Sequence, residues 1–267
     1  MSQPLRFSHL VKPKIGPEDP ELVETLREGL EQVSPDDVTA IAQELVARRR
    51  RLAGLVEAVA GGRELDTSSD CAELARALTA TQRQASMLCG WVVTTPVRVA
   101  LPSLFWEEEP VEMRLDRFLA DCGRVDRRLA LEFATGLLHL RVPARYWLWT
   151  RWLWDIEHGT GILPLLASST HALEAPGIGA RYRQLRPLVA MGAELGQDSG
   201  LLRPALLDDP EIGPFAVDAF LAAAYSVYLY GITNWRLSRE FNRLLPSLPD
   251  LARRLLGLPP TRRRLAA

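Results

Sequence analysis

Ser34-Pro35-Asp36-Asp37, followed by apolar side chains at Val38, Ile41, Leu45, Leu52, Val56 and Val59, constrains this chain more than any other stretch. At about 100° per residue these six positions return to one side of an α-helix, and no period-two element could bury them together. A serine N-cap, a proline at the first helical position and two first-turn acids supply the start signal. Gly61-Gly62 supplies the stop. Upstream, from Pro20, Leu22, Leu26, Leu30 and Val33 also share a helical face. The two elements predict an N-terminal amphipathic helical hairpin over 17–62.

The same periodicity runs through the rest of the chain. Ser68-Ser69-Asp70 opens a helix that passes Leu74 and Leu78 and runs on to Met87 and Trp91. Trp91-Val92-Val93-Thr94-Thr95-Pro96 is β-branched and closed by proline, so the helix stops there and any short strand would lie there. Further helices are expected over Val111–Cys122, Val125–Leu140, Pro143–His158, Arg181–Leu195 and Pro214–Leu245. Residues 159–180, rich in Gly, Pro, Ser and Thr, read as the longest irregular segment. The expectation is an all-α multi-helix bundle of eight to ten helices. Its parts are a flexible arm (1–16), the hairpin (17–62), a main helical domain (63–258) and a basic tail (259–267). Hairpin and main part could equally form one continuous domain, 17–258.

Composition narrows the function classes. Lys plus Arg is 32 against 33 for Asp plus Glu, which lacks the cationic surplus of a nucleic-acid binder. Cys71, Cys89 and Cys122 are odd in number with no CxxC pair, a pattern of reduced thiols rather than a disulfide framework or zinc site. Met1 to Gly16 holds no apolar signal core. The uncharged stretches Ala85–Val97 and Ala219–Thr233 fall short of the ~20 residues of a membrane span and read as buried helices. A cytoplasmic location with no membrane span is expected.

Three constellations could carry chemistry. Four of the seven tryptophans fall within Arg145–Asp155. On a helix, Trp147, Arg151, Trp154 and His158 would share a face and could line an apolar pocket with polar handles. Such residues equally fill a bundle core. Glu132 and His139, seven apart, and Asp155 and His158, three apart, have the spacing of a helical metal-dependent oxidase. The short Arg141-Val142 link makes the two helices antiparallel, placing His139 and His158 about 20 Å apart at 1.5 Å per residue. That register predicts no metal site. It pairs Glu132 with Arg151, Gly136 with Trp147, and His158 with Asp126. His158 beside Asp126, before Gly159-Thr160-Gly161, forms a candidate acid/base pair. On the last long helix, Asp218 stands alone among apolar residues and Tyr225 and Tyr228 share a face. Asp218 and Tyr225 therefore join Trp147, Arg151 and Trp154 as candidate ligand-binding residues.

Arg48-Arg49-Arg50-Arg51 breaks the apolar stripe of the first long helix, either as an anion or partner contact or as a solvated face with snorkelling stems. No phosphate loop, HExxH, GxSxG or EF-hand sequence is present, and no cofactor is expected. Two functions remain. One is a helical binding or accessory subunit, docking through the hairpin to a protein partner or a second copy of itself. The other is an enzyme for a small apolar or aromatic ligand, with His158 as acid/base. An apolar patch beyond ~600 Å² on the hairpin would favour the first. A closed cavity reaching His158 would favour the second.

Overall fold

In the computed structural model, the Ser34 start signal closes as a capping box. Ser34 Oγ accepts from the Asp37 N–H at 3.0 Å, and Asp37 Oδ2 accepts from the Ser34 N–H at 3.1 Å. The helix it opens, α1 (Pro35–Ala60), buries Val38, Ile41, Leu45, Leu52, Val56 and Val59. The structure describes residue 26 and residues 28–65, 68–79, 82–122, 126–167, 175–234 and 246–260. The arm 1–16, most of the first hairpin helix and the tail from 261 lie outside these.

Ten further α-helices follow among the described residues: α2 (Ser68–Leu78), α3 (Gln82–Val92), α4 (Thr95–Ala100), α5 (Val111–Asp121), α6 (Arg127–Arg141), α7 (Ile162–Leu166), α8 (Ile178–Asp198), α9 (Pro204–Leu207), α10 (Gly213–Asn234) and α11 (Leu248–Leu255). A 3-10 helix, Leu101–Phe105, links α4 to α5. The bundle is all-α, as its periodicity predicts. The break at Thr94 passes directly into α4, with Pro96 in its first turn, and no strand forms there.

The centre of the bundle is α10. Phe215, Ala216, Val217 and Ala219 to Ala224 are all buried, because α1, α8 and α11 surround the helix. Its many alanines keep the inter-helix distance short. Cores of this kind are close-packed, and α5 and α8 show the limit: a Cβ on Gly179 would lie 2.1 Å from the Glu112 carbonyl oxygen. No single described helix is long and apolar enough to cross a membrane.

The arginine run is absorbed by this architecture. Arg48 Nη1 donates to the Ala77 and Leu256 carbonyls at 2.7 and 2.9 Å, at the C-terminal ends of α2 and α11. Arg49 donates from Nε to the Leu140 carbonyl at 2.9 Å and from Nη2 to that of Arg141 at 3.2 Å, closing α6. Helix C-termini carry unpaired carbonyls and partial negative charge, so guanidinium groups are well placed there. Arg50 and Arg51 pair with Glu211 and Glu73 at the surface.

The expected helix from Pro143 to His158 does not form. Residues 142–161 run as turns and extended chain, with Tyr146, Trp147, Trp149, Trp152, Leu153 and Trp154 all buried. The reason is competition for backbone hydrogen bonds. The Trp147 N–H donates to Tyr182 Oη (2.7 Å), the Trp149 N–H to Thr135 Oγ1 (3.2 Å) and the Arg151 N–H to Glu132 Oε1 (3.1 Å). These side chains replace the carbonyls a helix would have offered. A turning chain also sends bulky rings in several directions, so the Trp149 indole stacks on Trp154 at 5.1 Å while Trp152 faces Tyr225. Gly161, at φ 126°, ends the segment where a Cβ would lie 2.5 Å from the Leu153 carbonyl oxygen.

Losing that helix changes the cross-chain pairs. Glu132 does meet residue 151, but at its backbone amide, and the Arg151 side chain turns to Asp155 (2.7 Å). Gly136 faces Leu78 rather than Trp147. Arg114, 1% exposed, helps to hold the segment. It donates to the Leu104 carbonyl and to Tyr146 Oη, and its guanidinium lies 5.4 Å from the Tyr146 ring centroid.

Candidate functional site

Along α6, Glu132, Gly136 and His139 recur at four and three residues and so form one stripe. Phe215, Asp218, Tyr225 and Leu229 form another on α10. The two stripes line a single cavity of about 630 Å³, completed by Leu45 and Arg48 of α1, Leu148, Thr150, Arg151 and Trp152 of the aromatic segment, and Arg254 to Gly257 at the end of α11. Leucines, Trp152, Phe215 and Tyr225 supply its apolar wall, and Arg48, Glu132, His139, Arg151, Asp218 and Arg254 its charged or titratable groups.

His139 and Asp218 join the stripes. His139 Nε2 lies 2.8 Å from Asp218 Oδ2, and Nδ1 lies 2.7 Å from the Tyr146 carbonyl oxygen. Both residues are buried, at 4% and 6% exposure. A carbonyl only accepts, so Nδ1 carries a proton. With a second proton on Nε2, the pair is an imidazolium–carboxylate ion pair. Burial by itself pushes the imidazole pKa down, but the Asp218 charge, its hydrogen bond and the Tyr146 carbonyl outweigh burial, and the net shift is upward. Phe215 packs edge-on against the ring at 5.1 Å. Because both nitrogens are engaged, His139 positions Asp218. The second carboxylate oxygen of Asp218 has no hydrogen-bond partner among the described residues.

Glu132 stands about 10 Å further along α6, at 1.5 Å per residue. Desolvation raises its pKa from the ordinary 4.5 to about 7, against the lowering effects of the Arg151 N–H and of Arg128. One oxygen accepts that N–H and the other has no partner among the described residues. A carboxyl group poised near neutrality in an apolar cavity can accept or release a proton at little cost. Nearby in the wall, Thr150 Oγ1 and Trp152 Nε1 are buried without partners.

The residues read from the sequence divide among this cavity, the core and the surface. Asp218, Tyr225 and Arg151 line the cavity. Trp147 and Trp154 are buried in the core and do not line this cavity. His158 is exposed, and its Nδ1 lies 3.0 Å from Asp155 Oδ2. Asp155 also accepts from the Arg151 side chain and from the Glu157 and His158 amides; burial alone would raise its carboxyl pKa, but the Arg151 and His158 side chains hold it below the usual range. Asp126, expected beside His158, instead caps α6 by accepting from the Arg128 and Leu129 amides. The cavity does not reach His158.

Comparison with protein-family models, curated proteins and solved structures finds no match to this chain. The geometry therefore stands alone. His139 and Glu132 carried a legible signal, their shared face on one helix. Their partner Asp218 lies 79 positions from His139, and nothing local in the sequence links the two. Asp155, Glu157 and His158 lie close enough to hold an ion. Asp155, however, is fully used in organising its own turn.

Proposed function

We propose that this protein is a small-molecule enzyme that transfers a proton to or from a largely apolar substrate bound in the central cavity. The observation that carries the reading is Glu132, with its pKa raised to about 7, in the same apolar cavity as Asp218 held by His139. Two carboxyl groups in unlike surroundings suit an acid and a base. The substrate proton passes to the unpartnered oxygen of Glu132 and is returned from it. The aromatic wall of Trp152 and Tyr225 holds the apolar body. The acid/base role moves from His158, which faces water, to Glu132.

Solvent deuterium exchange into a panel of small apolar carbonyl compounds tests this, alongside native mass spectrometry of freshly purified protein. General acid–base catalysis contributes about 10²–10⁴-fold. Glu132→Gln should therefore slow exchange at least ~100-fold while the protein remains folded. Equal exchange by both proteins, or no exchange and no bound molecule at all, overturns the reading.

A second reading, a helical accessory subunit docking to a protein partner, is favoured by a different surface. The exposed large apolar side chains among the described residues are Met87, Val93, Val99, Trp106 and Met113. They lie on the α3–α5 side, and none is on the described part of the hairpin. Trp106→Ser should abolish any self-association seen by sedimentation. An unchanged oligomeric state would remove this second reading.

A further inference from the structure

We infer that the cavity ligand is an anion with an apolar body, its charged group held at the Arg48–Arg254 end; this deepens the enzyme reading and rests on it. Arg48 lines the cavity, and its guanidinium bonds only carbonyl oxygens, those of Ala77 and Leu256. Carbonyl dipoles offset a cation in part, but no carboxylate lies within ion-pair distance of Arg48 among the described residues. The nearest acid along α1, Glu44, is committed to Arg253, which binds both its oxygens at 2.8 and 2.6 Å. Burial, helped by the nearby Arg51 charge and only partly offset by Glu44, lowers the Arg48 pKa to about 10. Arg254 lines the same end of the cavity, is exposed, and has no acidic partner among the described residues.

Of the two acids that line the cavity, Asp218 is paired with His139 beside Leu140, near the arginine end, and Glu132 lies further along α6. Arg49 bonds the Leu140 carbonyl, so the arginine end lies beside the C-terminus of α6. From residue 140 back to Glu132 is about 12 Å at 1.5 Å per residue. Arg48 and Arg254 are thus the cavity's cations without an acidic partner among the described residues, since Arg151, beside Glu132, is committed to Asp155, and Asp218 is paired with His139. A ligand matching this arrangement carries its anionic group on the arginines, its apolar body between, and a carbonyl-activated C–H at Glu132. A reversed ligand would place its negative charge against the Glu132 carboxylate. The span suits a chain of about eight carbons.

The probes are octanoate, octanol and octylammonium, one chain with three headgroups, titrated into the full-length protein by calorimetry at neutral pH. Octanoate should bind one-to-one and about tenfold more tightly than octanol, as expected for a charge-assisted hydrogen bond. Arg254→Gln, at an exposed position that does not threaten the fold, should weaken octanoate about three- to tenfold and leave octanol unchanged. Arg48→Lys, which keeps a donor for the helix carbonyls, should shift octanoate in the same direction with an unchanged circular dichroism spectrum. Octanol binding as tightly as octanoate, octylammonium binding more tightly, or octanoate affinity indifferent to both arginine variants overturns the anion inference and leaves the cavity as a ligand site. Failure of all three probes to bind overturns both.

Discussion

Replacing Glu132 with glutamine isolates one proton, and its effect on stability follows from the site. The amide oxygen of glutamine can still accept the Arg151 N–H, so the local geometry is kept while the titration is removed. In the folded protein the carboxyl titrates at about 7, against an ordinary 4.5 when unfolded. The folded state therefore binds the proton more tightly. Stability from this group is present in full below about 4.5 and is lost as pH rises through 7. Each pH unit of difference corresponds to about 1.4 kcal/mol, which gives about 3 kcal/mol, trimmed to about 2 kcal/mol because the side chain is not wholly buried. Urea unfolding of both proteins at intervals from pH 4.5 to 8 measures it. The wild type should lose about 2 kcal/mol relative to Glu132→Gln across that range. The contribution of His139 is common to both proteins and cancels in the difference. Parallel stability curves would show that Glu132 titrates normally, and the acid/base role assigned to it would fall with them.

Four other perturbations test separate parts of the structure. Gly179→Ala should cost about 3 kcal/mol or more in urea unfolding, because the added Cβ meets backbone at 2.1 Å where α5 and α8 cross, and neither chain can yield cheaply. Arg49→Ala should cost about 2 kcal/mol by leaving the Leu140 and Arg141 carbonyls at the end of α6 without their cationic donor. Glu132→Ala and Arg151→Ala should combine almost additively in a double-mutant cycle, since the acid bonds the backbone of residue 151 and not its guanidinium; a coupling above ~1 kcal/mol would restore the side-chain ion pair. His158→Ala, at a half-exposed surface pair, should leave unfolding within about 0.5 kcal/mol of wild type and octanoate affinity unchanged.

Where local rules suffice, the reading of the sequence was close. The Ser34 capping box and the stripe from Val38 to Val59 appear in α1 as their spacing requires. The same signature stands at Ser247-Leu248-Pro249-Asp250, where Ser247 Oγ accepts from the Asp250 N–H at 3.3 Å and opens α11. There Pro246 and Pro249 flank the cap, and no helix over 248–255 is expected from the sequence. The arginine run reads two ways in the sequence because the apolar stripe calls for a hydrophobic residue at position 48 or 49, and a guanidinium fits there only where a helix end lies opposite. Here helix ends do lie opposite, those of α2, α11 and α6.

The helical character of this protein, the Ser34 cap and the buried face of α1 were determined by the sequence alone, because they depend on contacts three and four residues apart. The course of residues 142–161 and the pairing of His139 with Asp218 were decided only by the tertiary structure. Tyr182, Thr135 and Glu132 compete with the helix's own carbonyls for the amides of the aromatic segment, and they come from distant parts of the chain. His139 reaches its partner across the packing of α6 and α10. Helical periodicity says which face a residue occupies, but not what the fold brings opposite it.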